Sequence, residues 1–474
     1  MAAVLILPTA DVAVARRAGK HRVPRPYQVT QRQQLAKGLS HLALRKTRGA
    51  DQVVHVARLS PSSKLQIRPV PSRGNATGHG PNLEPTSRLC RRVSCLVAVN
   101  GDFFRDGQTV GGIVVDGRIV KKPRRGWRQA ALDPDGMLAS TRMVVHATLM
   151  TSDLERVQIR SLDPERFRRR RVAMYTPAFG RHTPKLRRKT ALVFGLRKPA
   201  GPLRLEQTSV ARLERVRRAR NRVQIPSRGF VIVVRGDGPG WLRRYREHLR
   251  QDVASRDMLV RLRSHAAVWD SIGGRPLLVR KGRVALPRDR SSFARARHPR
   301  TMIGRARDGS LLLVTVDGRR PGRSGMTLRE AARLMIRLGA VEAMNLDGGG
   351  STAFVTRGRV RNRPSDGRER PVAVALAVVR KSNGGLAAPR TPRLSSMNLP
   401  RGDGEAMRPS ARPTQEAPSP ALVLAAADPV TPDGSSQLAL MLVITAGLVL
   451  GRTVFAHRST RRKLAADHGP SSGG

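Results

Sequence analysis

The sequence predicts an α+β fold: a single β-rich mixed domain with a few packed helices, plus a disordered tether and one C-terminal transmembrane helix. Short apolar runs bounded by Gly, Pro or Asp recur along the chain, whereas helical spacing is confined to a few stretches. One long uncharged run lies near the C-terminus. With 474 residues, 39% of them hydrophobic, the chain is long enough for one large domain with appendages.

The first segment, 1–49, begins with a pattern that resembles the rear half of a secretory signal. The letters AAVLIL are followed by AVA and RR, which places small residues near Ala15, where a signal peptidase would cleave. The positive charges that normally precede such a run are missing, and Pro8 and Asp11 interrupt it. The pattern therefore favours export without defining a complete signal.

Strand candidates dominate the next segment, 50–382, which we interpret as the folded domain. VVDGRIV and LVRKGRV are typical of tight hairpins, because turn-forming residues separate two short apolar runs. The strand candidates are DQVVHVARL, CLVAVN, GGIVVDGRIV, TALVFGL, GFVIVV, RPLLVRKGRV, SLLLVTVDG and PVAVALAVV.

Helical spacing is found in three stretches. The clearest is LREAARLMIRLG, where Leu328, Ala331, Leu334 and Met335 fall on one face and Gly339 follows as a C-cap. The other two are SVARLERVRRAR (209–220) and WLRRYREHLRQDVAS (241–255). No glycine-rich turn opens a βαβ unit, so a dinucleotide-binding domain is not supported.

The C-terminal part predicts a membrane anchor. A Pro/Ala/Ser-rich linker (383–437) precedes LALMLVITAGLVL, and the apolar stretch 438–456 is about long enough to span a bilayer if Arg452 reaches the interface. The tail, 457–474, is basic and predicted to be cytoplasmic, so the expected location is the cell membrane, single-pass, with the domain outside. The competing interpretation is a hydrophobic tail packed on the domain.

The net charge of +57 comes mostly from arginines spread along the chain. One interpretation is affinity for a polyanion; the other is a GC-rich genome that encodes arginine wherever a surface tolerates it. No zinc-finger spacing, RNA-binding signature or basic patch interleaved with aromatic residues is present, so specific nucleic-acid binding is not expected.

The only cysteines are Cys90 and Cys95. Their spacing matches no common metal site, so they form either a small disulfide or two inert buried thiols. An oxidising location favours the disulfide, and we therefore predict that they are bridged.

A run of three glycines, Gly348, Gly349 and Gly350, follows Asp347 and precedes Ser351. Consecutive glycines cost conformational entropy, so a stable fold keeps them where a side chain would obstruct another backbone or a ligand. Such a loop offers N–H donors to phosphate or sugar oxygens, with Asp347 as acceptor, base or metal ligand. The alternative is a plain tight turn.

Five motifs follow one another along the chain: VNGDFF (99–104), IGGRPLLVRKGRV (272–284), HPRTMIGRARDGSLLLVTVDGRRPGRSGMTLREAARLM (298–335), AMNLDGGGSTAFV (343–355) and NRPSDGRERPVAVAL (362–376). In sequence and order they resemble the phosphodiester glycosidase family, and the resemblance covers most of 50–382. It implies an enzyme that hydrolyses a sugar-1-phosphodiester at the glycosidic bond, releasing the sugar and leaving a phosphomonoester. We expect the substrate on a cell-surface polymer or glycoconjugate.

This chemistry assigns roles to the residues in the motifs. Glycosidic cleavage usually needs two carboxylates, but with a phosphate leaving group cationic or N–H stabilisation matters more than the acid. Arg300 is the expected phosphate clamp, because a guanidinium pairs two phosphate oxygens at once. The predicted catalytic residues are Asp347, Asp317 and Asn345, and the predicted substrate-binding residues are Arg300, Thr301, Gly348, Gly349, Gly350, Ser351, Asn100 and Asp366.

Several of these residues also have a purely structural interpretation. Asp317 and Asp366 are typical turn residues, and Asn100 and Asn345 could cap strand-end turns. Asp102 receives the least weight, because many members of the family carry glycine there.

No cofactor is expected to be required; a divalent metal around Asp347 and Asp317 is compatible with the sequence, but no ligand spacing demands one. The expected partners are a phosphodiester-linked sugar or wall polymer and, through the C-terminal helix, the membrane. The alternative function is a catalytically idle, membrane-tethered module that binds anionic wall polymers. Replacement of Asp347 distinguishes the two, because only the enzyme requires its carboxylate.

Overall fold

The computed structural model describes residues 25–381, with gaps at 47, 74–82, 134–137, 151–155, 166, 168–171, 188, 198–201, 236–239, 241, 243, 246–256, 265–267 and 288–290. All of these residues belong to the first of two units, Met1–Gly402; the second, Asp403–Gly474, lies outside the described residues. Strands and helices are numbered below in chain order.

An eight-stranded antiparallel sheet carries most of the predicted motifs. Its spatial order is β1 (Gln28–Ala36), β2 (Leu39–Lys46), β3 (Gln52–Leu59), β23 (Leu311–Val316), β22 (Arg300–Ala306), β24 (Ala340–Asn345), β20 (Leu277–Arg280) and β21 (Arg283–Val284). The first two strands precede residue 50, the predicted start of the domain, and β2 pairs with β3 along its whole length.

A second sheet, here called the β5 sheet, packs on the first. Its order is β26 (Arg359–Val360), β25 (Phe354–Thr356), β5 (Val97–Asn100), β27 (Val374–Arg380) and β4 (Leu65–Pro71). Val99, Phe354 and Leu376 from this sheet share one buried cluster with Ile303 and Leu313 from the eight-stranded sheet. We call the two sheets together the two-sheet core.

A third sheet, the β19 sheet, closes one side of the two-sheet core. Its order is β11 (Leu138–Arg142), β10 (Arg128–Leu132), β19 (Asp270–Gly274), β8 (Ile113–Val115) and β9 (Arg118–Lys121). Ile113, Leu132 and Ile272 belong to the same buried cluster, so this sheet is part of the core. The short ribbon of β6 (Phe104–Arg105) and β7 (Gln108–Thr109) lies between β5 and β8 in sequence.

A seven-stranded sheet is built almost entirely from residues 145–264. Its order is β13 (Arg156–Ile159), β12 (Val145–Met150), β18 (Asp257–Ser264), β16 (Thr208–Ala219), β15 (Lys189–Leu196), β17 (Gly229–Val234) and β14 (Val172–Tyr175). Its two faces bury separate apolar clusters, one around Phe194 and Phe230 and the other around Tyr175 and Val231. The sheet therefore has its own core on each face.

The helices among the described residues are α1 (Thr86–Arg92), α2 (Ser292–Arg295) and α3 (Leu328–Arg337). The α3 helix is the one predicted to end at Gly339. It begins with a reciprocal capping box, in which the Thr327 hydroxyl accepts from the Glu330 N–H and the Glu330 carboxylate accepts from the Thr327 N–H. Gly339 follows with a φ of 90°, a left-handed conformation that glycine adopts without strain.

The hairpins depend on turn residues that tolerate a positive φ. Asp116 and Gly117 between β8 and β9 have φ angles of 50° and 72°, and Lys281 and Gly282 between β20 and β21 have 50° and 72°. Two consecutive positive φ angles are typical of type I′ turns, whose twist matches that of the flanking strands. The two hairpins predicted from VVDGRIV and LVRKGRV are therefore present.

The predicted fold class is wrong. The described residues are mostly β-sheet, with few and short helices, so the fold is mainly β rather than α+β. One predicted helix, 209–220, is instead strand β16, where Ser209, Ala211 and Leu213 alternate as buried residues. In the sequence, the arginines between and after these residues are compatible with the exposed face of a helix. The buried residues, however, recur at every second position, which is the period of a strand. Most of the other predicted helix, 241–255, lies outside the described residues.

The predicted transmembrane helix, 438–456, also lies outside the described residues. Within the part of the chain that is described, no helix is long and apolar enough to cross a bilayer. The predicted fold class with a C-terminal transmembrane helix is not supported.

Candidate active site

The predicted site residues converge at one edge of the two-sheet core. Strand β22 runs antiparallel to both β23 and β24, so its first residues lie beside the last residues of its neighbours. The chain leaving β24 then reaches the β5 sheet, because the Asp347 N–H donates to the Gly101 carbonyl at 2.9 Å. Motifs separated by more than 200 positions in sequence, VNGDFF and AMNLDGGGSTAFV, therefore meet here.

Asn100 fixes the backbone on which Asp347 lies. Its Nδ2 donates to the Asp347 carbonyl at 2.7 Å, and its Oδ1 accepts from the Thr301 hydroxyl at 2.6 Å and from the Ala353 N–H at 3.2 Å. Asn100 and Thr301 are both fully buried. Both polar groups thus join β5, β22 and the glycine loop, and neither is directed at an open surface.

The Asp347 carboxyl is only partly buried and is the acid best placed for chemistry. Burial raises its pKa to about 6, and the neighbouring Ser351 hydroxyl, the Gly348 N–H and the Arg370 charge act in the opposite direction. The Gly348 N–H donates to Oδ1 at 2.9 Å. At neutral pH the carboxylate is therefore mostly ionised, with a pKa close enough to neutrality for proton transfer.

The three glycines are needed for close approach. A Cβ at Gly348 would lie 2.6 Å from the Pro299 carbonyl oxygen, and one at Gly350 would lie 2.1 Å from Arg370 Nη2. Gly349 has a φ of 61°, the left-handed region. The loop therefore packs against the start of β22 on one side and against the Asp366–Arg370 ion pair (2.6 Å) on the other.

Asp317 is a buried acid whose two carboxylate oxygens are both hydrogen-bonded, and its predicted catalytic role stays a prediction. Its Oδ2 accepts from Arg323 Nε and from the Arg363 N–H, both at 3.1 Å, and its Oδ1 accepts from Asn362 Nδ2 at 3.1 Å. It is 1% exposed, and burial raises its pKa. The carboxylate holds together the chain after β23 and the chain after β26.

Arg300 is also enclosed. Its Nε donates to the Met326 carbonyl at 2.9 Å, and its Nη2 donates to the carbonyls of Phe293 and Ala296 at 2.7 and 3.1 Å. Burial, reinforced by the charge of Arg319, lowers its pKa to about 10. The guanidinium is directed at the backbone around α2 and the start of α3, so the geometry favours bracing over a direct phosphate contact.

Asn345 completes the set of predicted residues. Its Nδ2 donates to the Arg275 carbonyl at 2.9 Å and to the Leu346 carbonyl at 2.7 Å. It therefore ties the end of β24 to the chain between β19 and β20. No structural observation tests its predicted catalytic role, which stays a prediction.

Residues 203–379 match the sequence profile of the phosphodiester glycosidase family. These residues belong to that family. They include every predicted site residue except Asn100 and the two cysteines.

Relatives share short stretches with this glycosidase domain. Over 82 residues the chain is 42% identical to the SPbeta prophage-derived uncharacterized protein YomE of Bacillus subtilis, covering 17% of this chain and 13% of that protein. Over 67 residues it is 45% identical to N-acetylglucosamine-1-phosphodiester alpha-N-acetylglucosaminidase of Bos taurus, covering 14% of this chain and 12% of that protein. The chain thus matches only a small part of the length of these relatives.

The fold of the glycosidase domain has a counterpart among solved structures. The crystal structure of a hypothetical protein from Synechocystis superposes with a TM-score of 0.55 and 23% identity, covering 74% of this chain and 63% of that chain. At this identity the similarity shows the fold alone.

Asp102, which lies outside the matched residues, is the site residue that sequence reasoning undervalued. It is 1% exposed; its Oδ2 accepts from the Gly111 N–H at 2.7 Å, and its Oδ1 has no partner among the described residues. Burial raises its pKa to about 7, and the charge of Asp347 adds to the increase. The sequence holds a signal for this buried carboxyl in two double glycines, Gly111–Gly112 and Gly273–Gly274. Gly111 and Gly273 pack directly against the Asp102 carboxyl.

Cys90 and Cys95 form a disulfide with their Cα atoms 5.0 Å apart. It links α1 to the short segment between α1 and β5, the strand ending at Asn100. Among the described residues, no group of three or more His, Cys, Asp or Glu side chains could hold a metal ion. Asp347 and Asp317, around which the sequence allowed a metal, therefore have no further ligands of these types grouped with them in that part of the chain.

Proposed function

We propose that this protein hydrolyses sugar 1-phosphodiesters at the glycosidic bond, releasing free sugar and leaving a phosphomonoester. The observation that carries the proposal is Asp347: a partly buried carboxylate with a pKa of about 6, at the head of a loop without side chains, inside the residues that match the family. Raised pKa values are typical of carboxyl groups that act as catalytic acids and bases.

Asp347 is proposed to act at the anomeric carbon, either on the attacking water or as the nucleophile. The transition state of glycosidic cleavage carries positive charge on the sugar ring, which an adjacent carboxylate stabilises. The departing phosphodiester oxygen is already a good anion, so it needs little protonation but benefits from nearby positive charge. Arg370, whose charge acts on Asp347, and Arg319, which lies against Gly349, border the same loop.

Four buried residues are proposed to position Asp347 rather than to contact substrate: Asn100, Thr301, Arg300 and Asp317. Each is buried and bonded to another element that meets at the site. Such a shell keeps the reacting group within the narrow range of positions that catalysis requires.

We also propose that the enzyme acts outside the cytoplasm on a phosphate-containing polymer or glycoconjugate. The Cys90–Cys95 disulfide supports this, because disulfides persist mainly in oxidising compartments. The net charge of +57 favours a polyanionic substrate.

The test is a substrate screen of the full-length protein. A panel of sugar 1-phosphate methyl diesters, varied in sugar and anomeric configuration, is incubated with the protein while free sugar and methyl phosphate are measured separately. We expect one class of sugar to be released in equimolar amount with methyl phosphate, and Asp347→Asn to abolish the release. Binding of anionic polymers that survives Asp347→Asn, together with no cleavage of any diester, would favour the binding module instead.

A further inference from the structure

Arg275 presents an exposed guanidinium beside the site. Within the described residues it makes no ion pair and no side-chain hydrogen bond, and its only recorded side-chain contact is with Trp127. Its main chain, in contrast, is fixed. The Arg275 carbonyl accepts from Asn345 Nδ2 at 2.9 Å, and the Asn345 N–H donates to the Pro276 carbonyl at 3.0 Å. The backbone that carries this cation is therefore bonded to Asn345, which lies two residues before Asp347 in the sequence.

Trp127 holds that guanidinium in place. The central carbon of the Arg275 guanidinium lies 4.6 Å from the centre of the indole ring, a close cation–π contact. Phe103 supports Trp127 edge-on with ring centres 6.3 Å apart, and the indole Nε1 is buried without an acceptor among the described residues. The indole thus carries a cation on its face and an unused N–H donor.

The Arg275–Trp127 pair lies next to the two carboxyls of the site. Trp127 Cδ1 and Asp102 Oδ2 both fall within 3 Å of the point that a Cβ on Gly111 would occupy, at 2.9 and 2.6 Å. The Asp347 N–H donates to the carbonyl of Gly101, the residue before Asp102, at 2.9 Å, so Asp347 lies close by. The indole that carries the cation therefore packs beside Asp102, next to the proposed reacting centre.

Arg124 also lies over the Trp127 ring, but at 5.9 Å it is farther from the ring centre than Arg275. Three further arginines at the site are engaged. Arg300 is buried against three carbonyls, Arg370 is ion-paired with Asp366 at 2.6 Å, and Arg319 contacts His298 Nδ1 at 3.0 Å. A guanidinium that is to bind a phosphate must first give up the hydrogen bonds and ion pairs that occupy its N–H groups. Arg275 has the least to lose, since stacking on an aromatic face leaves its N–H groups free.

We propose that Arg275 binds the phosphate of the sugar phosphodiester and that Trp127 is the residue that positions it. This assignment rests on the proposed function and replaces the clamp expected at Arg300. The guanidinium donates two parallel N–H bonds to two phosphate oxygens while the indole fixes its plane.

Phosphate binding is measured without turnover, using inorganic phosphate as the probe at constant ionic strength and the tryptophan emission as readout. Trp127 is one of three tryptophans, and a ligand on Arg275 alters the emission of the indole beneath it. We expect a saturable change in the parent protein. In Arg275→Ala the dissociation constant rises at least about tenfold, as for a lost charged hydrogen bond, and Arg275→Lys is intermediate. Arg280→Ala, an exposed arginine at the far end of β20, is the matched control and should bind as the parent does.

The positioning role of Trp127 is tested by isothermal titration with the same phosphate. Trp127→Leu should weaken binding about threefold, the size of a partly exposed cation–π contact, and Trp127→Phe should restore most of the affinity. No emission change in the parent protein, or equal effects of Arg275→Ala and Arg280→Ala, would overturn the assignment. Phosphate binding that depends on Arg275 in a protein that cleaves no diester would instead refute the proposed function and leave this site intact.

Discussion

The two-sheet core and the seven-stranded sheet are built from similar antiparallel strands but treat polar residues differently. The two-sheet core buries Asn100, Asp102, Arg300 and Asp317 at one edge, where strand ends meet. The seven-stranded sheet, over residues 145–264, buries one acid among its described residues, Asp163, and exposes the arginines of β16 to solvent. Buried ionisable groups with shifted pKa values cluster at functional sites, so the edge of the two-sheet core is the better candidate for catalysis.

The cost of that burial explains why the site is so densely bonded. A buried charge without partners costs several kcal/mol, so each buried ionic group in the core is matched by donors or acceptors. Asp317 has three donors and Arg300 three acceptors. Asp102 keeps one oxygen without a partner among the described residues, and an unpaired buried group can mark a place where a ligand binds or a proton moves.

The largest expected difference between the two regions is in catalysis. Asp347→Asn should lower kcat at least about a hundredfold, because it removes a group that acts mainly in the transition state. KM should change little. Steady-state kinetics on any diester that the parent cleaves gives both values.

The matched control is Asp257→Asn on the seven-stranded sheet, where the carboxylate is ion-paired with Arg197. It should keep parental kcat and KM. If Asp257→Asn is as damaging as Asp347→Asn while both variants fold, the site has been placed in the wrong region.

The next difference concerns how tightly glycines are packed. A Cβ at Gly273 would lie 2.5 Å from Asp102 Oδ2 and 2.7 Å from the Gly111 Cα, so backbone in the core must move. Gly273→Ala should therefore lower the free energy of unfolding by about 1–3 kcal/mol, the usual cost of overpacking. Urea denaturation measures the change.

Gly195→Ala on the seven-stranded sheet is the comparison for this prediction. Its Cβ would lie even closer to a neighbour, 1.9 Å from Glu214 Oε1, but that neighbour is the end of an exposed side chain and turns away. Its cost should be well below that of Gly273→Ala. If both variants lose the same free energy of unfolding, the loss depends on the distance to the nearest atom and not on the rigidity of that neighbour.

The sequence was informative where one local pattern carried the structure. The glycine run after Asp347, the α3 helix with its C-terminal Gly339 and the Asp116–Gly117 hairpin all follow from short-range rules. Strand β16 was misread because its arginines lie at exposed positions that also suit a helix surface.

The roles of single side chains were harder to predict, because their partners come from distant motifs. The acceptors of Arg300 belong to the chain at Phe293, Ala296 and Met326, so nothing near PRTMIG reveals that the guanidinium is enclosed. Trp127 and Arg275 are 148 positions apart and meet only through the pairing of β10 with β19.

The disulfide provides a third difference, since it braces only the two-sheet core. Replacing both Cys90 and Cys95 by Ala should lower the free energy of unfolding by about 2 kcal/mol, the chain-entropy value for so short a loop. The thiols are buried beside Leu89, Ala98 and Val355, so alanine adds no polar group there. Denaturant unfolding measures the change.

Mass spectrometry without reduction tests the disulfide itself. The parent protein should be two hydrogens lighter than its reduced form. Free thiols in freshly isolated protein, or equal stability of the double variant, would contradict the prediction.

The smallest expected effect comes from a pair of histidines inside the two-sheet core. His41 Nε2 and His55 Nδ1 are 3.2 Å apart, and both rings stack near Phe354. Burial is the main reason why the pKa of each histidine is lowered to about 4. His55 and Arg361 lower the pKa of His41 further. Arg323 and Arg361 lower the pKa of His55 further. The folded state therefore keeps both rings neutral at a pH where the unfolded chain has begun to bind protons. The free energy of unfolding should consequently fall as pH drops from about 6.5 towards 4, and level off below that.

Buried carboxyls such as Asp102 and Asp270 act with the opposite sign, because their raised pKa values make protonation favour the folded state. The difference between parent and His55→Gln isolates the histidine contribution. Between pH 6.5 and 5.0 the variant should lose about 1.5 kcal/mol less than the parent, the linkage value for one such histidine. His182→Gln, an exposed histidine in the region of the seven-stranded sheet, should follow the parental curve. Parallel curves for the parent and His55→Gln would mean that the pair is not held neutral by the core, and acid sensitivity would then have to arise elsewhere.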